Sequence, residues 1–356
     1  MKELEYPFDA AYIIKKRKSL KKALLADGTS RIRKKIAVFG GSTTSDIVKT
    51  LELFLLDAGI EPEFYESEYA QYFQDAMFPD ETLLSFKPDI VFIHTTNRNV
   101  TDWPEMTDTT EQIDEKLHTE INRFTAMWKS IAEKFHCPII QNNFEMPLYR
   151  LLGSRDAWDI HGHTNFLTRL NEAFYAYARE NESFYIHDLN FVSADYGLKE
   201  WSNPLFWNMY KYAMCFEAIP SFAFSVSHII KSIFGKNKKA LALDLDNTLW
   251  GGVVGDDGVD GIEIGQETGV SQSYYEFQTY VKQLKSLGIV LTVCSKNDHE
   301  NAIAGLNHPE GALRPDDFVI IKANWENKDR NIAETAAELN ILPDSIPQKR
   351  KVSGKN

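Results

Sequence analysis

The sequence predicts an α/β protein of two domains, each a parallel sheet flanked by helices. Three observations carry this reading. Short apolar runs of strand length alternate with longer segments whose apolar residues recur at helical spacing, the pattern of parallel sheets covered by helices on both faces. The polar, glycine-containing stretch from Lys231 to Lys239 interrupts that alternation and marks a boundary between domains at 1–235 and 236–356. A chain of 356 residues with 43% hydrophobic content can also bury more than one core.

Residues 1–34 read as a helical lead-in, helical over Ser19 to Ala26 and stopped by Asp27 and Gly28. Ile36 to Phe39 is a short buried strand running into Gly40, Gly41, Ser42 and Thr43, and Ile47, Leu51, Phe54 and Leu55 then recur at helical spacing. The region of Phe64 and Tyr65 reads as strand, Ala70 to Met77 as helix or loop, and Asp89 to His94 as a strand ending before Thr96 and Asn97. Ile113 to Phe135 has the length and spacing of an amphipathic helix. Pro138 to Asn143 and Phe184 to Leu189 are further strands, with a helix over Asn165 to Glu180 between them. The aromatic segment from Trp201 to Phe224 is expected to pack at a domain edge rather than to form a ligand box.

The second domain opens on the apolar run from Ala240 to Leu243, which ends in Asp244 and Asp246. Gly251 to Gly265, where glycines alternate with acids and valines, suits a hairpin-like flap. Helices are expected over Tyr274 to Leu287, Asp298 to Gly305 and Lys328 to Leu339, and strands over Ile289 to Cys294 and Phe318 to Ile321. The flap and one helix account for residues 245–294, which leaves no room for a large cap domain.

Composition narrows the function. A net charge of -12 without an offsetting basic stripe argues against nucleic acid or an anionic membrane as the main partner, and the basic cluster Lys15 to Lys18 with Lys21 and Lys22 reads as a solvated helix face. Cys137, Cys215 and Cys294 are widely spaced, which fits neither a disulfide framework nor a zinc site and suits a reducing compartment. With no secretory signal and no apolar stretch of membrane length, the expectation is a cytoplasmic protein.

Two carboxylates where a buried strand emerges are costly without a task, and the carboxyl end of a parallel strand is where α/β proteins place ligands. A phosphate ester resists attack because nucleophile and substrate are both anionic, and Mg²⁺ held by Asp244 and Asp246 would screen that charge. Asp244 could then attack phosphorus to give an aspartyl-phosphate. Asp246, two residues on and on the same face of an extended chain, could protonate the leaving oxygen and later activate water.

At these residues the chain resembles a known family. Asp244 to Leu249 looks like the first motif of the haloacid dehalogenase superfamily, and the run through Trp250, Gly251, Gly252 and on to Asp256 resembles its FkbH-like branch. The resemblance implies a Rossmann-like second domain in which Asp244 is nucleophile and metal ligand and Asp246 is acid/base with its backbone carbonyl on the metal. It further implies that Ser295 holds the transferring phosphoryl, that Lys328 in the run Asn324 to Lys328 stabilises nucleophile and intermediate, and that Asn247, Thr248 and Asn297 contact substrate. It implies Mg²⁺ as cofactor, a phosphorylated small-molecule substrate and, from better-known FkbH-like members, loading of a glyceryl-type acyl unit onto an acyl carrier protein. Cys294, beside Ser295, is the candidate acyl acceptor. In the family one more strand and an acidic pair complete the metal site. Here Leu342 to Ile346 begins that approach and Pro347 to Asn356 replaces it, which reads as a truncation, a shifted frame or an added tail, with weak activity expected.

The first domain is similar at two short blocks to the SGNH esterases, a three-layer, flavodoxin-like fold: Gly40 to Thr43 with Ser42 as the nucleophile, and Thr96 and Asn97 with Asn97 in the oxyanion hole. Gly41 stands where that family carries Asp, and Asn203 to Trp207 occupies the place of its Asp-x-x-His, so Ser42 is expected to be inert unless His161, His163 or His187 substitutes. A binding or scaffold protein with both sites degenerate, and a Ser42 esterase, are the alternatives to the phosphatase reading.

Overall fold

A computed structural model of the chain describes residues 1–347, which divide between two compact units, Met1–Gly235 and the residues from Lys236 onward. Each unit is a parallel sheet flanked by helices. No described helix is long and apolar enough to cross a membrane.

In the first unit the strands β1 (Ile32–Gly40), β2 (Ile60–Glu66), β3 (Ile90–His94), β4 (Ile139–Asn142) and β5 (Phe184–His187) form one sheet in the order β2-β1-β3-β4-β5, all pairs parallel. That is the flavodoxin-like doubly wound order, whose switch point lies between β1 and β3. Strand alternation sorts the core. Ile36, Val38, Phe92 and Ile140 face one helical layer, while Ala37, Phe39, Val91, Ile93 and Ile139 face the other.

The first layer holds α1 (Ala10–Ala26), α2 (Ser45–Asp57) and, in chain order after the helices named next, α10 (Ile219–Ile233). The second holds α3 (Tyr72–Met77), α4 (Glu81–Phe86), α5 (Thr110–Phe135) and α6 (His163–Glu180). α7 (Leu189–Tyr196), α8 (Leu198–Trp201) and α9 (Pro204–Tyr210) lead into α10. Caps set the starts: the Asp9 side chain accepts from Tyr12 N, Thr109 and Gln112 form a capping box, and Asp80 accepts from Leu83 N to start α4.

Several elements differ from the sequence reading. α1 begins at Ala10 rather than Ser19, and α4, α7 and α8 have no counterpart in it. β1 begins at Ile32, because its charged half, Arg33 to Lys35, pairs through the backbone with β2 and needs no burial to do so. The aromatic segment is neither wholly packing nor wholly surface: Trp201 and Phe222 are buried, whereas Leu205, Met209 and Tyr210 on α9 are exposed.

In the second unit β6 (Ala240–Leu243), β7 (Val290–Ser295) and β8 (Ile320–Ala323) form a parallel sheet in the order β6-β7-β8. The helices are α11 (Val254–Asp257), α12 (Gly269–Ser286), α13 (His299–Leu306) and α14 (Lys328–Glu338). The expected hairpin flap reduces to one antiparallel bridge, Gly251 to Glu263. Between those residues the chain coils into α11, because Asp246 Oδ1 accepts from Val254 N and Asp257 Oδ2 accepts from Val253 N. Lys239 N donates to Ser345 O and Ala242 N to Pro347 O, so the last described residues run along the free edge of β6. The expected replacement of the final strand falls largely on residues 348–356, outside the described residues.

Candidate functional site

Three elements deliver the site of the second unit. Asp244 follows the last residue of β6, Ser295 is the last residue of β7, and Lys328 is the first of α14. Because the strands are parallel, their carboxyl ends open at one edge, and the loop after β8 is tied there by Asn324 N donating to Ser295 O at 3.2 Å. Ser295 Oγ donates to Asp244 Oδ1 at 2.8 Å, and Lys328 Nζ donates to Asp244 Oδ2 at 2.7 Å. One carboxylate is thus gripped by a hydroxyl and a cation.

Asp246 has its own shell. Its Oδ1 accepts from Trp250 Nε1 at 3.0 Å and from Val254 N at 3.2 Å, and its Oδ2 accepts from Asn297 Nδ2 at 3.0 Å. The turn that permits this puts Asn247 in the left-handed region (φ 55°), with Asn247 Oδ1 accepting from Gly252 N. Asn247 is exposed and Thr248 half-buried, both on this turn, whereas Asn297 is buried against Asp246. Asn297, expected on substrate, donates to the Asp246 carboxylate in this structure.

Among the described residues no group of three or more His, Cys, Asp and Glu gathers to hold a metal. Asp244 and Asp246 nevertheless supply two hard oxygen donors, which fits Mg²⁺: that ion keeps several waters and is often bound through one or two carboxylates plus substrate phosphate.

Cys294 does not share this site. Successive strand residues face opposite sides, so with Ser295 turned to Asp244 the thiol turns into the cluster of Ala240, Ala242, Ala336 and Ile346. It is 2% exposed and its Sγ lies 3.7 Å from Lys328 O. Burial pushes the thiol up, against the thiolate an acyl acceptor needs, with Lys328 opposing.

In the first unit Ser42 is buried and its hydroxyl has no hydrogen-bond partner among the described residues. At Gly41, where an Asp would stand in an SGNH esterase, a Cβ would sit 2.4 Å from the Asn99 amide, which itself donates to Gly41 O, so a side chain there requires Asn99 to give way. Asn97 is committed elsewhere, donating from Nδ2 to Glu145 O at 3.3 Å and from its backbone N–H to Glu145 Oε2 at 3.2 Å. Asn203, at the place of the Asp-x-x-His, caps α9 through Leu205 N.

None of the histidines weighed as a replacement base is bonded to Ser42. His161 pairs with Asp159, and His163 stacks on Trp103 with ring centres 4.3 Å apart. His187 bonds Asn142 and Ser225 in the core, where burial holds it down at about 3.

Sequence reasoning missed the role of Trp250 as a donor to Asp246, although the residue stood inside the quoted motif. It also missed Glu145, a buried carboxyl pushed up to about 8 by burial, against hydrogen bonds from backbone N–H groups including Asn97 and against the charge of Arg98. A lone Glu in a loop carries no periodic signal.

No curated protein matches the chain. It is similar to the crystal structure of the N-terminal part of the protein BF1531 from Bacteroides fragilis, described as containing a phosphatase domain and complexed with Mg. The two are 29% identical with a TM-score of 0.82 over 93% of this chain and 87% of that one. A GDSL-like lipase of Bacteroides thetaiotaomicron, BT0569, aligns over 62% of this chain and 99% of its own at 13% identity and a TM-score of 0.31. The FkbH N-terminal domain matches over residues 35–231, more than half of the sequence and nearly all of the first unit's sheet and helices, and the chain therefore belongs to the FkbH N-terminal domain family.

Proposed function

We propose that the second unit carries out Mg²⁺-dependent phosphoryl transfer through an aspartyl-phosphate on Asp244. The observation that carries this is the grip on Asp244 by Ser295 Oγ and Lys328 Nζ, with Asp246 two residues on. The likeness to a chain described as containing a phosphatase domain complexed with Mg supports the same reading. Asp244 through its carboxylate and Asp246 through its backbone carbonyl would hold the ion, and when bound it supplies charge screening and orientation of the phosphate.

The carboxylate of Asp244 attacks phosphorus, a P–O bond forms, and the bond to the leaving oxygen breaks. Lys328 offsets the charge gathered on the transferring group, and Ser295 donates to it once released from Asp244. Asp246 gives the leaving oxygen its proton. Its Oδ1 is fixed by two donors, which leaves Oδ2, with the single donor Asn297, as the oxygen that carries the proton. Water then attacks phosphorus, Asp246 takes its proton, and Asp244 and phosphate are regenerated.

The substrate class we propose is a phosphorylated three-carbon acid. Passage of its glyceryl-type acyl unit to an acyl carrier protein would be a separate step on an acyl phosphate, in which the carrier thiol attacks the acyl carbon, the C–O bond to phosphate breaks and phosphate leaves, a reading that rests on the family. With Cys294 turned into packing, the thiol of the carrier is the acceptor in this arrangement. Hydrolysis of p-nitrophenyl phosphate with Mg²⁺ tests the phosphoryl reading. Turnover that disappears in Asp244→Asn, with borohydride reduction marking Asp244 in the phosphorylated parent, supports it. Turnover that survives Asp244→Asn overturns it.

A further inference from the structure

The first unit contains a cleft of about 770 Å³ that the phosphoryl site does not account for and that shares only Asn97 with the two SGNH-like blocks. Its walls come from the loop after β3, which gives Asn97 and Arg98, from the loop after β4, which gives Glu145 to Leu151, and from Trp103, His163 and Trp207. It therefore opens at the carboxyl ends of parallel strands next to the β1/β3 switch point, where doubly wound sheets take their ligands, and it has the volume of a small-molecule site.

Its chemistry is uneven. Arg98 and Arg150 bring positive charge to the cleft of a chain whose net charge is -12. Arg98 lies over the Trp207 ring at 5.2 Å, and Lys211 lies over the same ring at 5.5 Å. Trp103, Trp207, Pro147 and Leu148 give it apolar walls. The acid among the walls, Glu145, is buried and accepts from Asn97 N, and burial pushes its carboxyl up to about 8, which lessens the charge it sets against an anion.

We propose that this cleft binds a small organic anion, a carboxylate on an apolar or aromatic body, with Arg98 and Arg150 on the charge and Trp103 and Trp207 along the body. The site is for binding rather than hydrolysis. Ser42 does not line it, and the Asn97 amide that would serve an oxyanion is taken by Glu145 O. The proposal is independent of the phosphoryl reading, since every wall residue belongs to the first unit.

Isothermal titration of the full chain with 3-phenylpropionate tests it, with 3-phenylpropan-1-ol as the uncharged counterpart. We expect saturable one-to-one binding with a Kd of roughly 0.1–1 mM. The alcohol should bind about tenfold more weakly or worse, and the Arg98→Ala, Arg150→Ala double variant should lose about tenfold in affinity for the acid. Both arginines are exposed, so an unchanged melting temperature will show that the double variant is folded. Saturable binding absent up to about 10 mM overturns the proposal, as do equal binding of acid and alcohol and undiminished binding in the double variant.

Discussion

Lys328 Nζ lies 2.7 Å from Asp244 Oδ2, an ion pair between residues 84 positions apart that joins the first residue of α14 to the end of β6. Both side chains keep some solvent access, 25% and 17%, so the pair contributes little to stability, on the order of 1 kcal/mol or less. In the phosphoryl transfer proposed for this site, its importance would be to the charge on the transferring group, where a fixed cation is worth about 10²-fold or more in rate. Lys328→Met should therefore lower phosphomonoester turnover by about that factor and move the melting temperature by only a few degrees, read by steady-state kinetics beside a thermal melt.

Trp250→Phe keeps an aromatic ring and removes the Nε1–H that holds Asp246 Oδ1. Gly305 makes room for the six-membered half of the indole, since a Cβ there would meet it at 2.7 Å, and the smaller phenyl leaves part of that space against α13 empty. The expected cost is about 2–4 kcal/mol in urea melts, a hydrogen bond to a charged acceptor together with the void. Because a proton carrier misplaced by a fraction of an ångström loses efficiency, kcat should fall about tenfold while KM changes little.

The strands were legible because their apolar runs are short and bounded, and the long helices α5 and α6 because their apolar residues repeat at 3.6. α10 is equally periodic, with Ile219, Phe222, Ala223, Val226 and Ile230 buried on one stripe, yet it lies in an aromatic-rich stretch where nearly every residue is apolar and the period is masked. At the site, order along the chain brought Asp244, Asp246, Ser295 and Lys328 to notice together. It said nothing of side-chain direction. The two-residue strand period, applied between Cys294 and Ser295, separates them onto opposite faces of β7, and that is what the structure has. Asn297 and Trp250 were illegible as partners of Asp246 because a three-dimensional turn, with Asn247 left-handed, brings them there.

Stability of the first unit should peak near pH 6.5. His94 and His187 are held by burial at about 3, below the ordinary 6.5, so between those values the unfolded chain binds protons that the folded one does not, and stability is lost as pH falls. Glu145 has the opposite sign. Its carboxyl is raised from 4.5 to about 8, so the folded state holds a proton that the unfolded state has lost, and stability falls as pH rises through that window. From 4.5 to 6.5 these two histidines, joined by His228 held at about 4 and by His163, both depressed by burial, outweigh the one carboxyl. Above 6.5 Glu145 and His161, which its bond to Asp159 raises, both lower stability as pH rises. Urea melts across pH 5 to 9 should show the maximum, and Glu145→Gln should flatten the alkaline side.

Cys294→Ala should leave phosphomonoester turnover within about twofold of the parent, because the thiol faces Ala240, Ala242 and Ala336 rather than Asp244. Stability should fall by about 1 kcal/mol for the lost sulfur packing. Incubation of the parent with an acyl phosphate should give no Cys294-dependent adduct by intact mass. An adduct at that position would mean that β7 presents its other face during the reaction.

Gly41→Asp would complete the SGNH-like block on paper, and it should do the reverse in the protein. A side chain at Gly41 drives its Cβ to within 2.4 Å of the Asn99 amide, whose own hydrogen bonds run to Gly41 O and from Thr96 N. Either Asn99 leaves, which unties the loop after β3, or β1 shifts against β3; overpacking of this kind costs about 1–3 kcal/mol. The hydroxyl of Ser42 stays buried without a base in both cases, since neither His94 nor His187 reaches it by a hydrogen bond. Fluorophosphonate labelling should therefore be absent from parent and variant alike, with the variant melting at the lower temperature. Labelling that is lost in Ser42→Ala would instead show that the serine is an active nucleophile.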